Sequence, residues 1–362
     1  MNPENTESLK KTPLCGACIE AGGKMVDFHG WFLPVQFDSI LAEHKAVRTS
    51  AGMFDVSHMG QVWVEGKDAW KFLQYVNTNN IKNIPSKGTY SHIVNEQGQI
   101  IDDAIAFCLA CDKFLVVVNA ACIDVDVAWF YKNAAGFDVK ITNDSDNWGM
   151  IALQGPKALE YAAQQIPDVQ NMARFTIKAI ELFGANGYVT RTGYTGEDGV
   201  EIMLPPRAII HLWDALKAAG VKPCGLGARD VLRLEAGYLL NGVDATGKQT
   251  PYEAGCGWVV KLDKEYFIGK DALAAQKAAG LDQRLTGFVL TGAGVPREGC
   301  KVFKDGKEKG VLTSGTFSPL FKGIAVGYAD TDLKEGDAVE IEIHGRKIPA
   351  KKVKTPFYQN RV

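Results

Sequence analysis

Gly98-Gln-Ile-Ile-Asp102-Asp103-Ala-Ile-Ala-Phe107 sets two adjacent carboxylates inside an otherwise apolar run. Its composition and length predict a strand over residues 99–107. The turn Asn95-Glu-Gln-Gly98 ties it to a strand at 89–94, and Cys111-Asp-Lys113 to one at 114–118. The three make an antiparallel meander. Neighbouring side chains on a strand point to opposite faces, so Asp102 and Asp103 look opposite ways. Whichever faces a core or cavity needs a cation or a donor-rich ligand. An edge strand with both acids near water is the plainer alternative.

Working outward, helices flank the meander at 68–76, with Trp70, Phe72, Leu73 and Val76 inward, and at 121–133. Upstream, residues 25–37 are aromatic-rich and read as irregular. A helix at 39–50 follows, capped by Asp38 or Ser39, with Ile40, Leu41, His44 and Val47 near one stripe. A strand is expected at 61–64. Downstream the alternation continues with strands at 150–154, 187–191 and 200–204, and helices at 156–165 and 208–219. A last helix, 228–240, is introduced by Gly225-Leu-Gly227. From residue 285 the helical period disappears. Short runs at 285–290, 301–303, 310–313, 324–328 and 338–343 lie between Gly, Asp and Lys-Glu-Gly turns. That pattern is a small antiparallel barrel or sandwich, with a boundary near 280. The class is α+β.

The chain has 362 residues, room for two or three domains. Forty basic against 42 acidic residues, a net charge of −2, argue against sequence-independent nucleic-acid binding, which needs a basic surface. No apolar run approaches the ~20 residues of a membrane span. Residues 1–11 are polar with Glu4 and Glu7, and the first arginine is Arg48. Neither a secretory signal nor a transit peptide is expected, and the compartment reads as cytoplasmic. Eight cysteines are too sparse for a disulfide scaffold. The spacings Cys15-x-x-Cys18 and Cys108-x-x-Cys111 lack the turn chemistry of a zinc knuckle, so free thiols are expected. His29, His44, His58, His92, His211 and His344 show no metal-hydrolase spacing.

Four features could carry chemistry. Gly225-x-Gly227 lacks the third glycine of a dinucleotide site, which argues against nicotinamide or flavin binding there. It does put Arg229 in a first helical turn, where a cation is unfavourable and an anion should compensate it; an ion pair with Asp230 or Glu235 would do the same. Asp102-Asp103 is the second. The third is Arg191-Thr-Gly-Tyr194-Thr-Gly-Glu197-Asp-Gly199-Val-Glu201. Its glycines make a tight loop, and Glu201 then lies opposite Val200 and Ile202 on a strand. A carboxylate there suits an amino-amide heterocycle edge, or simply a solvated face. Fourth, Tyr90, Tyr194, Tyr238 and Trp258 sit beside turns or polar residues and could wall a flat ligand or pack in a core. No Gly-x-Ser-x-Gly elbow, Walker lysine or Cys/His signature supports covalent nucleophilic catalysis.

These segments together resemble the glycine cleavage system T protein family. The resemblance rests on Met25-Val-Asp-Phe-His-Gly-Trp31, Ala51-Gly-Met-Phe-Asp-Val-Ser-His-Met-Gly60, Gly98-Gln-Ile-Ile-Asp-Asp103 and Val117-Val-Asn-Ala120. It continues through Leu153-Gln-Gly-Pro156, Thr192-Gly-Tyr-Thr-Gly-Glu-Asp-Gly199, Gly225-Leu-Gly-Ala-Arg-Asp230, Arg233-Leu-Glu-Ala236 and Thr313-Ser-Gly-Thr-Phe-Ser-Pro319. The resemblance implies a three-domain cloverleaf around a central folate channel. The domains would be 1–58 with 143–230, 59–142 with 231–283, and a β-barrel at 284–362.

By the same resemblance the chain is an aminomethyltransferase. It would take the aminomethyl group from the dihydrolipoyl arm of H protein and give 5,10-methylenetetrahydrofolate, ammonia and reduced carrier. Tetrahydrofolate is then a co-substrate, lipoylated H protein the partner, and no metal is required. Asp103 would be the key acid. Glu201 and Arg229 would hold the folate, and Tyr90, Asn119, Tyr194, Tyr238 and Trp258 would line its pocket. A carboxylate near the transferred carbon would stabilise the developing iminium cation. The stretch between Pro13 and Met25 departs from the family pattern, so no ligand contact is carried onto it. The folate-binding half of a sarcosine or dimethylglycine oxidase would need a flavin domain. The related iron–sulfur assembly factors carry Lys-Gly-Cys where this chain has Lys264-Glu-Tyr-Phe-Ile-Gly269-Lys270.

Overall fold

A computed structural model describes residues 8–360. Residues 1–7 of the polar lead and 361–362 of the C-terminal tail lie outside the described residues. After α1 (Cys15–Glu20), the aromatic stretch read as irregular is an antiparallel hairpin of β1 (Lys24–Phe28) and β2 (Trp31–Gln36). Its two-residue loop explains the difference. His29 and Gly30 both take positive φ, and Asp27 accepts the Gly30 amide at 2.8 Å. Left-handed loop pairs of this kind match the twist of paired strands.

Ser39 caps α2 (Ile40–Thr49), its Oγ accepting the Ala42 amide, and the helix leads into β3 (Gly52–Asp55). The next elements are β4 (Gly60–Glu65), α3 (Ala69–Val76), β5 (Gly88–Val94), β6 (Ile100–Ala110), β7 (Lys113–Val118), α4 (Ile123–Asn133) and β8 (Lys140–Asn143). These strands form an antiparallel sheet in the order β5-β6-β7-β4-β8. Phe72 and Leu73 of α3 and Phe130 of α4 pack on Ala104, Ala106 and Val116. β6 alternates as its sequence dictates. Asp102, Ala104 and Ala106 face this core, while Asp103 and Ile105 are half-buried on the other face.

A second sheet uses β9 (Gly149–Gln154), then α5 (Ala158–Ala163), β10 (Ile177–Leu182), β11 (Ala185–Thr190), β12 (Gly199–Leu204), α6 (Pro206–Ala218) and β13 (Lys222–Pro223). Its order is β10-β11-β12-β9-β3-β13, so the early β3 lies between two strands from much later in the chain. Met53, Ile151, Leu153, Val200 and Ile202 supply its core, with Trp213 of α6 fully buried against them.

Helix α7 (Leu226–Glu235) starts earlier and stops sooner than the 228–240 expected. Gly237, at φ 71°, breaks it, although apolar residues continue to Leu240. Its entry passes so close to β2 that a Cβ on Gly225 would lie 2.4 Å from the Val35 carbonyl carbon. Buried Glu43 accepts the Gly225 amide at 2.8 Å. α8 (Lys270–Ala279) follows.

The rest is a closed antiparallel barrel of β14 (Gln283–Leu290), β15 (Lys301–Lys304), β16 (Lys307–Ser318), β17 (Lys322–Asp330), β18 (Ala338–Ile343) and β19 (Arg346–Val353). β19 lies where three lysines, an arginine and a proline hide the alternation. The barrel is fastened to α7 by buried side chains. Ser318 donates to Glu235 at 2.5 Å, and Arg48 and His44 of α2 share that carboxylate.

Candidate functional site

Asp102 and Asp103 stand on opposite faces of β6 and are joined by one residue. Asn119, just past β7, donates its side-chain amide to Asp102 at 2.8 Å and to Asp103 at 3.0 Å. Its backbone amide adds a 3.0 Å bond to Asp102, and the Asn241 side chain donates to Asp102 as well. Asp102 is thus a fully buried carboxylate satisfied by amides. Asp126, in the first turn of α4, is also fully buried, and neither of its oxygens meets a donor among the described residues. Burial and then the Asp102 charge push its pKa well above the ordinary carboxylate range.

Asp103 accepts a bond from the Tyr90 hydroxyl at 3.1 Å, and His92 Nε2 lies 3.2 Å from the same hydroxyl. Burial and then the Asp102 charge raise the Asp103 pKa to about 7. Among the described residues no lysine or arginine forms an ion pair with Asp102, Asp103 or Asp126. The Trp258 ring stacks on Tyr90, with centroids 5.7 Å apart and planes 22° from parallel. Trp258 is itself 59% exposed.

The other candidates meet around Tyr194. The loop carrying it is pinned because Gly193 lies against Gln154, where a Cβ would come within 1.8 Å of Oε1. The Tyr194 hydroxyl donates to the Leu239 carbonyl, and its ring stacks on Tyr238, which is 41% exposed. The Arg229 guanidinium lies 4.4 Å from the Tyr194 ring centroid. Neither Asp230 nor Glu235 pairs with it, which corrects that reading: Asp230 binds Arg233, and Glu235 binds His44 and Arg48. Glu201 projects from β12 away from Val200 and Ile202 and accepts the Thr192 hydroxyl at 2.5 Å. Burial raises its pKa, opposed by Thr192 and by the Arg229 charge.

A cavity of about 390 Å³ opens beside this group. That is within the ~300–1,000 Å³ of small-molecule sites. Val26 and Phe28 of the hairpin, Tyr194, Arg229, and Thr313 with Gly315 of the barrel line it. Tyr90, Asp103, Asn119, Glu201, Tyr238 and Trp258 are not part of that lining. The two groups are near enough that the Asp103 charge raises the Tyr194 pKa and Tyr194 raises that of Tyr90. His92, Asp126 and Asn241 were not singled out from sequence. For His92 a signal existed, since it lies two residues from Tyr90 on one strand and therefore shares its face.

The arrangement offers a carboxylate without a cation on one side and, on the other, a half-buried guanidinium that pairs with no carboxylate among the described residues. It suits a ligand with cationic and anionic or flat polar parts. No helix among the described residues is long and apolar enough to cross a membrane.

Residues 14–264 match the family model of the GCVT N-terminal domain, and 283–359 that of the glycine cleavage T-protein C-terminal barrel domain. The aminomethyltransferase of Lysinibacillus sphaericus is 46% identical over 364 residues, covering 98% of this chain and 99% of that one. That of Bacillus subtilis is 44% identical, covering 97% and 99%. The glycine cleavage system aminomethyltransferase T crystal structure from Bartonella henselae superposes with a TM-score of 0.92 at 34% identity, covering 98% of this chain and 99% of that one. With both halves of the pattern matched over nearly its whole length, this chain belongs to the glycine cleavage T-protein family of aminomethyltransferases.

Proposed function

We propose that this aminomethyltransferase receives its one-carbon unit from the aminomethyl-dihydrolipoyl arm of H protein and passes it to tetrahydrofolate at Asp103. The observation that carries the reading is the Asp102–Asp103 carboxylate pair, which has no lysine or arginine ion-paired to it among the described residues. Such a pair attracts an S–CH2–NH3⁺ group and stabilises positive charge growing on its carbon. The C–N bond breaks with loss of ammonia, the C–S bond with return of the thiol to the carrier, and the carbon ends bonded to two folate nitrogens.

The co-substrate's fit rests on two observations. The Arg229 guanidinium has no carboxylate partner among the described residues, and Glu201 keeps a carboxylate facing the same region. Glu201 would accept N–H bonds from an amino-amide heterocycle, Arg229 would bind its anionic portion, and Tyr194 would supply a flat wall. Tetrahydrofolate, when bound, supplies the nucleophilic nitrogens that accept the carbon. Tyr90 and Asn119 fix both oxygens of Asp103 in place, which lowers the reorganisation needed as charge develops. Tyr238 and Trp258 extend the aromatic surface towards solvent.

The strands segregate into the β1–β2 hairpin, two larger sheets and a barrel, which supports dividing the chain as 1–58 with 143–230, 59–142 with 231–283, and 284–362. Eight free thiols favour a reducing compartment such as the cytoplasm. The test is a glycine-cleavage assay with lipoylated H protein, following ammonia and methylenetetrahydrofolate together. Folate binding without turnover would leave a folate-binding scaffold and defeat the reading.

A further inference from the structure

His92 has no part in the reading above, yet it is fully buried, and among the described residues its side chain's one hydrogen-bond contact is to Tyr90, which itself bonds Asp103. It lies directly across from Asp103 in the β5–β6 ladder. Nε2 is 3.2 Å from the Tyr90 hydroxyl, whose proton bonds Asp103 at 3.1 Å, and Nδ1 meets no partner among the described residues. The chain His92–Tyr90–Asp103 can be protonated in two ways. With the proton on Nδ1, a buried N–H has no acceptor, and Nε2 competes with Asp103 for the Tyr90 proton. With the proton on Nε2, the imidazole donates to the Tyr90 oxygen, and the hydroxyl is free to donate to the carboxylate. A carboxylate is the stronger acceptor, and consecutive donors in a chain strengthen one another. The second arrangement satisfies every donor.

We infer that His92 is a positioning residue for the transfer: its Nε2–H fixes the direction of the Tyr90 hydroxyl and so lowers the pH at which Asp103 ionises. The inference rests on Asp103 being the acid of the reaction. Burial holds the imidazole neutral, with a pKa pushed down to about 3, so His92 acts as a fixed donor and exchanges no proton with substrate. The other titratable groups bearing on Asp103 are Asp102 on its own strand, Asp126 and Cys122 at the start of α4, Cys256 in the loop before Trp258, and Tyr194. None of them donates to the Tyr90 oxygen.

The test compares His92→Leu with His92→Gln, whose amide can still donate. In His92→Leu the acid limb of the kcat/KM profile is expected to move up by about 0.5–1 pH unit, the equivalent of one hydrogen bond. Activity on the acid side then falls by roughly 3–10-fold, while the alkaline plateau changes less. His92→Gln is expected to return the limb to the wild-type position, whatever its absolute rate. A limb that stays put in the leucine variant, or moves equally in both, overturns the inference. Nitrogen NMR of selectively labelled wild-type protein gives a measurement independent of any variant's folding. It should show His92 neutral with the proton on Nε2 from about pH 5 to about pH 9; a proton on Nδ1, or an imidazolium, overturns it too. Should Asp103→Asn keep full activity, the reading of Asp103 fails. Should that variant be inactive while the His92→Leu limb does not move, only the role of His92 fails.

Discussion

Replacing Asp103 by asparagine keeps the side chain's size and one acceptor oxygen and removes the negative charge. The structure says what is lost locally. Two oxygens accept from Tyr90 at 3.1 Å and Asn119 at 3.0 Å, and an amide can accept at only one of them. For a preorganised electrostatic contact the expected loss is roughly 10²–10³-fold in turnover, about 2.7–4 kcal/mol of barrier. Stability should move the other way. The folded chain holds a proton on Asp103 between its ordinary 3.8 and about 7, and the unfolded chain does not. Stability therefore falls as pH rises through that window, and Asp103→Asn removes that slope. Asp102→Asn is the control on the opposite face. Three amide donors, Asn119 N, Asn119 Nδ2 and Asn241 Nδ2, converge on Asp102. An asparagine supplies one acceptor oxygen for them, at a cost of about 1–3 kcal/mol in stability and a smaller loss of rate. Ammonia release and methylenetetrahydrofolate formation are measured for both, with circular dichroism to confirm folding. Loss of turnover in Asp102→Asn with a nearly wild-type Asp103→Asn means the strand presents the other face. Two active variants mean the electrostatic mechanism is wrong.

Tetrahydrofolate should bind one site per chain and raise Tm by mass action, and Glu201→Ala should weaken it by ~1.5–3 kcal/mol; calorimetry with an unchanged Kd in a folded variant returns Glu201 to an ordinary strand face. Arg233→Met should destabilise by about 3–5 kcal/mol in denaturant titration, because it strands the fully buried Asp244 carboxylate. An unchanged midpoint would show that Ser314 and Thr313 suffice to hold that charge. Burial opposes ionisation of Glu235, yet bonds from His44, Ser318 and Arg48 keep its pKa below the ordinary 4.5. Its contribution is full above that value and is lost as pH falls through the lower folded one, so Glu235→Gln should flatten the acid-side decline in Tm.

The period-two alternation of 99–107 was enough to send Asp102 and Asp103 to opposite faces, and the same rule set Glu201 against Val200 and Ile202. Helices were readable where caps and apolar stripes agreed, as at Ser39 and α2. The extent of α7 was misjudged because apolar residues run on to Leu240, while Gly237 decides where the backbone can turn. The missed hairpin depended on His29 adopting positive φ, a cost that a neighbouring Asx bond and glycine make tolerable. Partnerships were least legible. Arg229 looked able to pair with Asp230 or Glu235, but those acids are claimed by Arg233, Arg48 and His44. Local spacing carries no information about partners that arrive from 187 or 191 positions away.

The place of β3 in its sheet bears on how the chain is made. It hydrogen-bonds to β9 on one side and to β13 on the other, so its last neighbour leaves the ribosome about 170 residues after it does. At about 5–20 residues per second that is a wait of roughly 10–30 s before its second edge is covered, and until β9 emerges Met53 and Phe54 have no sheet to enter. Fragments ending before β9 would leave both edges of β3 open to other chains. The hairpin β1–β2 and the sheet β4–β8 meanwhile have all their strands close together in sequence. On the ribosome these local units should therefore form first, while the sheet that holds β3 is completed only after residue 223 has emerged.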